Sequence, residues 1–272
     1  MLQRSKKEIN MATVYPLYSS SSGNCTYIGD DKSGVLIDCG VSCKKAVDAL
    51  SQHGIPLDAV KAVCVTHTHS DHISGLKVLT KKHPVAIIAQ KTNLDILCDK
   101  DKINAACPLV EIQNGQTISC ADLEITAFET WHDTPASCGY TFVTKDNKKA
   151  AVCTDLGVVT DNVRAAVSGC DMALIESNYD RQMLINGYYE YNLKQRILSD
   201  HGHLSNNDSG AFINELIASG TTRVCLGHLS EHNNTPAKAE STVLSSLGRF
   251  RRNRDYLLEV ATKDFSGLAV VF

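Results

Sequence analysis

The sequence predicts an α/β protein in which two packed, mixed β-sheets are flanked by helices. Three observations predict it. The opening segments are short, apolar and β-branched, with turn residues between them; strand, loop, helix and strand then alternate; and the second half repeats that order. Segments that form hairpins in one place and strand–helix–strand units in another belong to mixed sheets rather than to a uniformly parallel, doubly wound one.

In chain order, "TVYPLYS", "CTYIGD" and "GVLIDCG" read as a β-meander divided by Gly and Asp turns. Ser42 has the chemistry of an N-cap for the helical spacing of "KKAVDALSQH", which Gly54 and Pro56 stop. The apolar strand "AVCVTH" follows. Residues 71–83, "DHISGLKVLTKKH", read as one helix opened by an acid, and Pro84 leads into the strand "VAIIA". In the second half, "LEITAFETWH" and "GYTFVTKDNKKAAVCTDLG" carry strands, with "KDNK" as a hairpin turn, before a helix near "DNVRAAVSG" and the strand "MALIES". Helices in "YNLKQRILSDHG" and "SGAFINELIASG" precede the strand "TRVCLGHLS", and Pro236 opens a last helix near "PAKAESTVLSSLG". No low-complexity tract, Pro-rich linker or repeat marks an internal boundary. Residues 13–272 therefore read as one domain behind a poorly structured extension over residues 1–12.

At 272 residues and 43% hydrophobic content, the chain can bury a core. No apolar run approaches the roughly 18–20 residues of a membrane span, and "MLQRSKKEINMATV" lacks the apolar stretch of a secretory signal. The expected location is cytoplasmic, with no membrane partner. The 11 cysteines stand mostly alone in apolar segments, as reduced, buried thiols do, and no pair of C-x2-C knuckles offers a structural zinc site. A net charge of −3 sets up no global field for a polyanion; the dense basic run "RFRRNR" reads as a solvated surface near a helix end.

The chemistry concentrates in "AVCVTHTHSDHISGL", residues 62–76. Side chains at i and i+2 of an extended chain share a face, so His67 and His69 can point at one ion while Asp71 and His72 approach a second position beside it. Imidazole and carboxylate donors together suit Zn2+, Mn2+ or Fe. Without a metal, three crowded imidazoles have no evident packing benefit.

These residues carry a resemblance. "THTHSDHISGL" resembles the signature of the metallo-β-lactamase superfamily, whose fold is a four-layer αβ/βα sandwich with a one- or two-metal site between its sheets. That resemblance implies further ligands from later loops, and His132 in "ETWHDTP", Asp155 in "VCTDLG" and His228 in "VCLGHLSEHNN" follow apolar strands in the expected order. It implies two divalent ions, one on His67, His69 and His132, the other on Asp71, His72 and His228, with Asp155 bridging. "YSSSSGNCTYIG", "IESNYD", "RILSDHGHLSN" and "GHLSEHNNTP" are similar to the YycJ/WalJ branch, from about residue 14 to the C-terminus. That branch is associated with nuclease activity, so the resemblance implies an exonuclease acting on DNA or RNA. The chain has no room for an inserted β-CASP domain and no evident exosite arm. With no strongly basic face, strand ends or short single strands are the expected substrate.

The residues themselves are compatible with that expectation. "SSSSGN" is a small polar loop that can approach a phosphate closely, which makes Ser22 and Asn24 candidate substrate contacts, or a plain turn. In "DHGHLSNND", His203 is expected to hydrogen-bond the phosphate or protonate the departing oxygen, with Ser205 and Asn206 as further contacts unless Ser205 caps the next helix. Asp71 is expected to orient the nucleophile as well as bind metal. The reaction expected is metal-assisted hydrolysis by a water that two ions acidify. A small-molecule ester, thioester or lactone is the alternative substrate, because the superfamily it resembles opens several bond types on one scaffold. A non-catalytic protein stapled by metal would have no need of the acid at Asp155.

Overall fold

The computed structural model describes residues 13–265 and 267–272; the expected extension over residues 1–12 lies outside them. Its first half opens with β1 (Thr13–Ser20), β2 (Gly23–Gly29) and β3 (Gly34–Ile37), an antiparallel meander with a two-residue turn at Ser21–Ser22. Helix α1 (Cys43–Gln52) starts where the Ser42 side chain accepts from Lys45 N, and it turns Ala46, Ala49 and Leu50 inward. Then come β4 (Val60–Cys64), α2 (Ser70–Ile73), α3 (Leu76–Lys82), β5 (Ala86–Ala89), α4 (Lys91–Asp99) and β6 (Leu109–Glu111).

The single helix expected over residues 71–83 is two. Ser74 Oγ donates to Gly40 O at 2.6 Å and Gly75 N donates to Cys39 O at 2.9 Å, so the backbone leaves its helical ladder to dock on the loop after β3. A Cβ at Gly75 would lie 1.9 Å from Val41 O, and one at Gly40 would lie 1.5 Å from Asp71 O. Only glycine permits backbones this close.

The second half holds β7 (Thr117–Cys120), β8 (Leu123–Glu129), β9 (Cys138–Thr144), β10 (Lys149–Cys153), α5 (Asp161–Val167), β11 (Met172–Glu176), α6 (Arg181–Asn186), α7 (Tyr191–Leu198), α8 (Asn206–Ala218), β12 (Arg223–Gly227) and α9 (Pro236–Ser246). The edge strands β13 (Leu257–Val260) and β14 (Val270–Val271) complete it. Among the described residues the strands form two seven-stranded sheets, ordered β14-β1-β2-β3-β4-β5-β6 and β13-β12-β11-β10-β9-β8-β7. Each is mixed as expected, antiparallel along its meander and parallel where helices intervene. Within the expected basic run, Arg252 pairs with Glu240 and Arg251 with Asp255, which fits a solvated face.

Three apolar clusters define four layers. Leu36, Val63 and Ile87 pack outward on Ala46, Leu50, Leu76 and Leu97 of α1, α3 and α4. Their strand neighbours Val35, Ile37, Ala62 and Cys64 face the other way, onto Tyr140, Phe142, Val152 and Leu174 between the sheets. Ala151, Cys153, Ala173, Ile175 and Val224 form the second sheet's outer face with Val163, Phe212, Ile213 and Val243 of α5, α8 and α9. The two-residue period of a strand divides each sheet's side chains between two cores. Fully burying a Leu or Phe side chain is worth about 1.5–3 kcal/mol, and such residues hold the layers together. No helix of the described residues is long and apolar enough to cross a membrane.

The layers aim the functional loops. Strand β3 runs parallel to β4, and β10, β11 and β12 run parallel to one another in turn; the C-terminal ends of these five strands deliver Asp38, the Thr66–His72 segment, Asp155, Glu176 and His228. Side chains beyond the carboxyl ends of such strands are where α/β folds place ligands.

Candidate metal centre

Ligand atoms of His67, His69 and His132 lie within 4.8 Å of one another, as do those of Asp71, His72 and His228; His67, His72 and Asp155 form a third such group that joins the two. All seven residues named from the sequence as ligands therefore converge. Asp155 sits centrally, its Oδ2 3.2 Å from His72 Nε2 and its Oδ1 3.5 Å from His228 Nε2 and 3.7 Å from His132 Nε2. Asp71 Oδ2 is 3.4 Å from His72 Nε2 and 3.5 Å from His228 Nε2.

Hydrogen bonds on the far side of four rings fix which nitrogen faces this space. His132 Nδ1 donates to Gly202 O at 3.1 Å, His72 Nδ1 to Asp38 Oδ2 at 2.7 Å and His228 Nδ1 to Glu176 Oε1 at 2.7 Å. Thr66 Oγ1 gives its proton to Asp38 Oδ2 at 2.8 Å, so His67 Nδ1, 3.1 Å away, donates to it in turn. These tautomers follow from the network. Each leaves Nε2 facing the centre, the arrangement in which a carboxylate or carbonyl behind a histidine orients it for a metal.

Asp38 and Glu176 were not singled out in the sequence, and both are buried. Asp38 also accepts from Thr66 N at 2.9 Å, and Glu176 Oε2 accepts from Leu156 N at 3.2 Å and Leu204 N at 3.1 Å. With every lone-pair direction of Glu176 used, its grouping with Asp155, His203 and His228 reads as a support behind the ligands. The signal for both was the one that marked Asp155: an acid ending an apolar strand.

Backbone strain marks the same positions. Asp38, Asp155 and His228 have φ of 59°, 59° and 55°, the left-handed region that non-glycine residues rarely enter. Such strain persists where surroundings over-determine it. Asp38 N is held by Cys64 O at 2.9 Å and His228 N by Ser19 Oγ at 2.8 Å.

Charge in the pocket favours cations. Burial pushes the pKa of His72 down, but Asp155 and Asp38 outweigh it and hold the ring well above its ordinary range. At His228, burial is likewise overcome by Asp155 and by hydrogen bonds to Asp71 and Glu176, which lift it to about 10. Burial drives Asp155 up, yet His228 and His72 hold its carboxyl well below the usual range, and hydrogen bonds from His228 and His72 do the same to Asp71 against burial. Burial depresses His67 and His132 instead, keeping their rings neutral. Neutral imidazole and ionised carboxylate are the forms that ligate metals, so a divalent ion would take the place of the protons held on His72 and His228. His67 Nε2 and Asp155 Oδ2 are buried with no hydrogen-bond partner, a costly state that a divalent ion between them would relieve. The donor set and these orphaned atoms fit divalent metal.

The other expected site residues divide. His203 belongs to the centre: its Nδ1 donates to Glu176 Oε1 at 2.8 Å, and it lies 3.9 Å from Asp155 Oδ1. Ser22 is exposed at the hairpin turn and donates to Glu231 Oε1 at 2.6 Å. Asn24 lies beneath the loop expected there, buried in β2, with Nδ2 3.0 Å from His72 Nε2 and 3.0 Å from Ser20 O. Ser205 and Asn206 are engaged within the fold, with Ser205 in the capping alternative. Ser205 caps α8, its Oγ accepting from Asp208 N at 3.1 Å, and Asn206 is fully buried, bonding Ser177 Oγ at 2.7 Å and Asn234. Both amide and hydroxyl are spent inside the fold.

A family model of the β-lactamase superfamily domain matches residues 34–229, a span that holds every candidate ligand. The chain is also 35% identical over 236 residues, 86% of its length and 87% of the relative's, to exodeoxyribonuclease WalJ of Streptococcus pneumoniae serotype 2. The chain belongs to the metallo-β-lactamase superfamily, in its WalJ/YycJ branch. Exodeoxyribonuclease YycJ of Bacillus anthracis is 33% identical over 230 residues, 84% of this chain and 86% of that one. The metallo-β-lactamase fold protein YhfI of Bacillus subtilis superposes with a TM-score of 0.70 at 15% identity, over 94% of this chain and 98% of the other, which shows the superfamily's αβ/βα fold directly.

Proposed function

We propose that this protein is a metal-dependent exonuclease that hydrolyses phosphodiester bonds at the ends of DNA strands. The observation that carries the reading is the convergence of imidazole and carboxylate donors from separate strand ends around Asp155. Likeness over most of the chain to two exodeoxyribonucleases supplies the substrate class. In this reading His67, His69 and His132 would hold one divalent ion and Asp71, His72 and His228 the other, with Asp155 shared between them; Zn2+ or Mn2+ are ions such donors suit. When bound, the ions supply Lewis acidity at the phosphoryl group and acidify water.

The chain's own residues do the rest. Asp38 and Glu176 keep His72 and His228 presenting Nε2. Asp71, partly exposed at the N-terminus of α2, is placed to orient the attacking water. His203 has Nδ1 committed to Glu176, so Nε2 is the nitrogen that exchanges a proton with the departing oxygen or hydrogen-bonds a phosphoryl oxygen. A cytoplasmic location, where DNA is found and thiols stay reduced, accords with the free cysteines.

End-labelled single- and double-stranded DNA, incubated with purified protein with and without chelator, tests this. Progressive, chelator-sensitive shortening is expected, lost in Asp71→Asn and His67→Ala with the fold retained. No cleavage of DNA, with turnover of an ester, thioester or lactone instead, would favour the small-molecule hydrolase.

A further inference from the structure

Trp131 is the single tryptophan of the chain, and it is 41% exposed. A large aromatic in water is unremarkable alone; its placement is what needs explaining. It immediately precedes His132 and stacks on His201, with ring planes 10° apart and centroids 5.5 Å apart. Both partners are anchored to the metal centre through backbone. Trp131 O accepts from Gly157 N at 3.0 Å, in the loop that follows Asp155, and Gly202 O, next to His201, accepts from His132 Nδ1 at 3.1 Å. The pair thus sits at the rim on the His132 side.

Trp131, His132 and His201 also line a cavity of about 310 Å³ with Gln90, Asn114 and Thr134. That volume is at the low end of small-ligand sites, about 300–1,000 Å³. Gln90, Asn114 and Thr134 give that cavity a polar wall beside the ring pair. A flat ring beside polar side chains is what a nucleobase recognises. Exposed Arg196 pairs with Asp133 at the same rim, offsetting a carboxylate that would repel a strand.

We infer that the Trp131–His201 stack is a platform on which the terminal nucleobase of a single strand lies, positioning the adjoining phosphodiester at the metal centre. The inference rests on the nuclease reading and adds the element that grips the strand. It makes Trp131 a positioning residue whose effect falls on binding.

The lone tryptophan reports on itself. Titrating the metal-loaded protein with a single-stranded oligonucleotide whose terminal linkages are phosphorothioate should quench its fluorescence saturably. Trp131→Ala should raise KM for single-stranded DNA about ten-fold, the size of one base–aromatic stack, with a smaller change in kcat. Trp131→Phe should recover most of the loss, and His201→Ala should weaken both binding and quenching. On an oligonucleotide with abasic terminal residues, the advantage of wild type over Trp131→Ala should vanish. DNA cleavage by wild type combined with no quenching and an unchanged KM in Trp131→Ala would overturn the platform while leaving the nuclease reading intact. No chelator-sensitive cleavage by wild type would remove the nuclease reading and this inference with it.

Discussion

Glu176 and His228 meet behind the metal centre with Oε1 2.7 Å from Nδ1, and neither side chain is more than 1% exposed. The same oxygen accepts from His203 Nδ1 at 2.8 Å, so one carboxylate orients both a ligand ring and the ring proposed to transfer a proton. Glu176→Gln preserves volume but removes the charge and places an amide where an acceptor stood. It should weaken metal binding about 10- to 100-fold, the usual effect of losing such a support, and lower kcat further by loosening His203. Metal titration beside the nuclease assay checks this; wild-type values for both would show that the carboxylate is passive.

His203→Ala separates the two roles. It should leave the metal content unchanged while removing about 10²–10⁴-fold of activity, the range of general acid–base catalysis. Loss of metal together with activity would make His203 a structural residue of the site.

Removing metal should cost stability. A cation lying between the orphaned His67 Nε2 and Asp155 Oδ2 would satisfy both, and would offset the like-charged carboxylates around them. Ligand binding to the native state alone contributes about 2.7 kcal/mol at one hundred times its Kd, which for a chain of this size is several degrees in Tm. Thermal unfolding should therefore shift upward with added Zn2+ or Mn2+ and return on chelation. A Tm indifferent to metal would count against a preformed centre.

Ser205 offers a control in the opposite sense. As the cap of α8 it should cost about 1 kcal/mol on replacement by Ala, seen in denaturant unfolding, with KM unchanged. A rise in KM without loss of stability would return Ser205 to the substrate.

The ligands were legible because each lies where an apolar strand runs out, and four of them crowd into six residues. Asp38 and Glu176 obey the same rule, but an acid at a strand end also closes turns, and nothing local shows that a histidine from another strand will lie against it. Depth was the harder property. "SSSSGN" reads as an open polar loop, yet Asn24 is buried because β2 pairs on both edges and α2 packs above it. Asn206 misleads for the same reason: its partner Asn234 is distant in sequence. The break between α2 and α3 depends on a backbone contact with Gly40 that no helical periodicity encodes. Strands β6 and β7 escaped because they are short, half-exposed edges whose composition resembles loop.

The central claim is that seven side chains from four loops enclose a pair of cations, and metal content tests it most directly. After exhaustive dialysis in metal-containing buffer, elemental analysis should find about two ions per wild-type chain, about one in His132→Ala and in His228→Ala, and neither retained in Asp155→Ala, with folding confirmed by circular dichroism. Wild-type protein that binds no divalent ion, or an Asp155→Ala variant that keeps both, would contradict it.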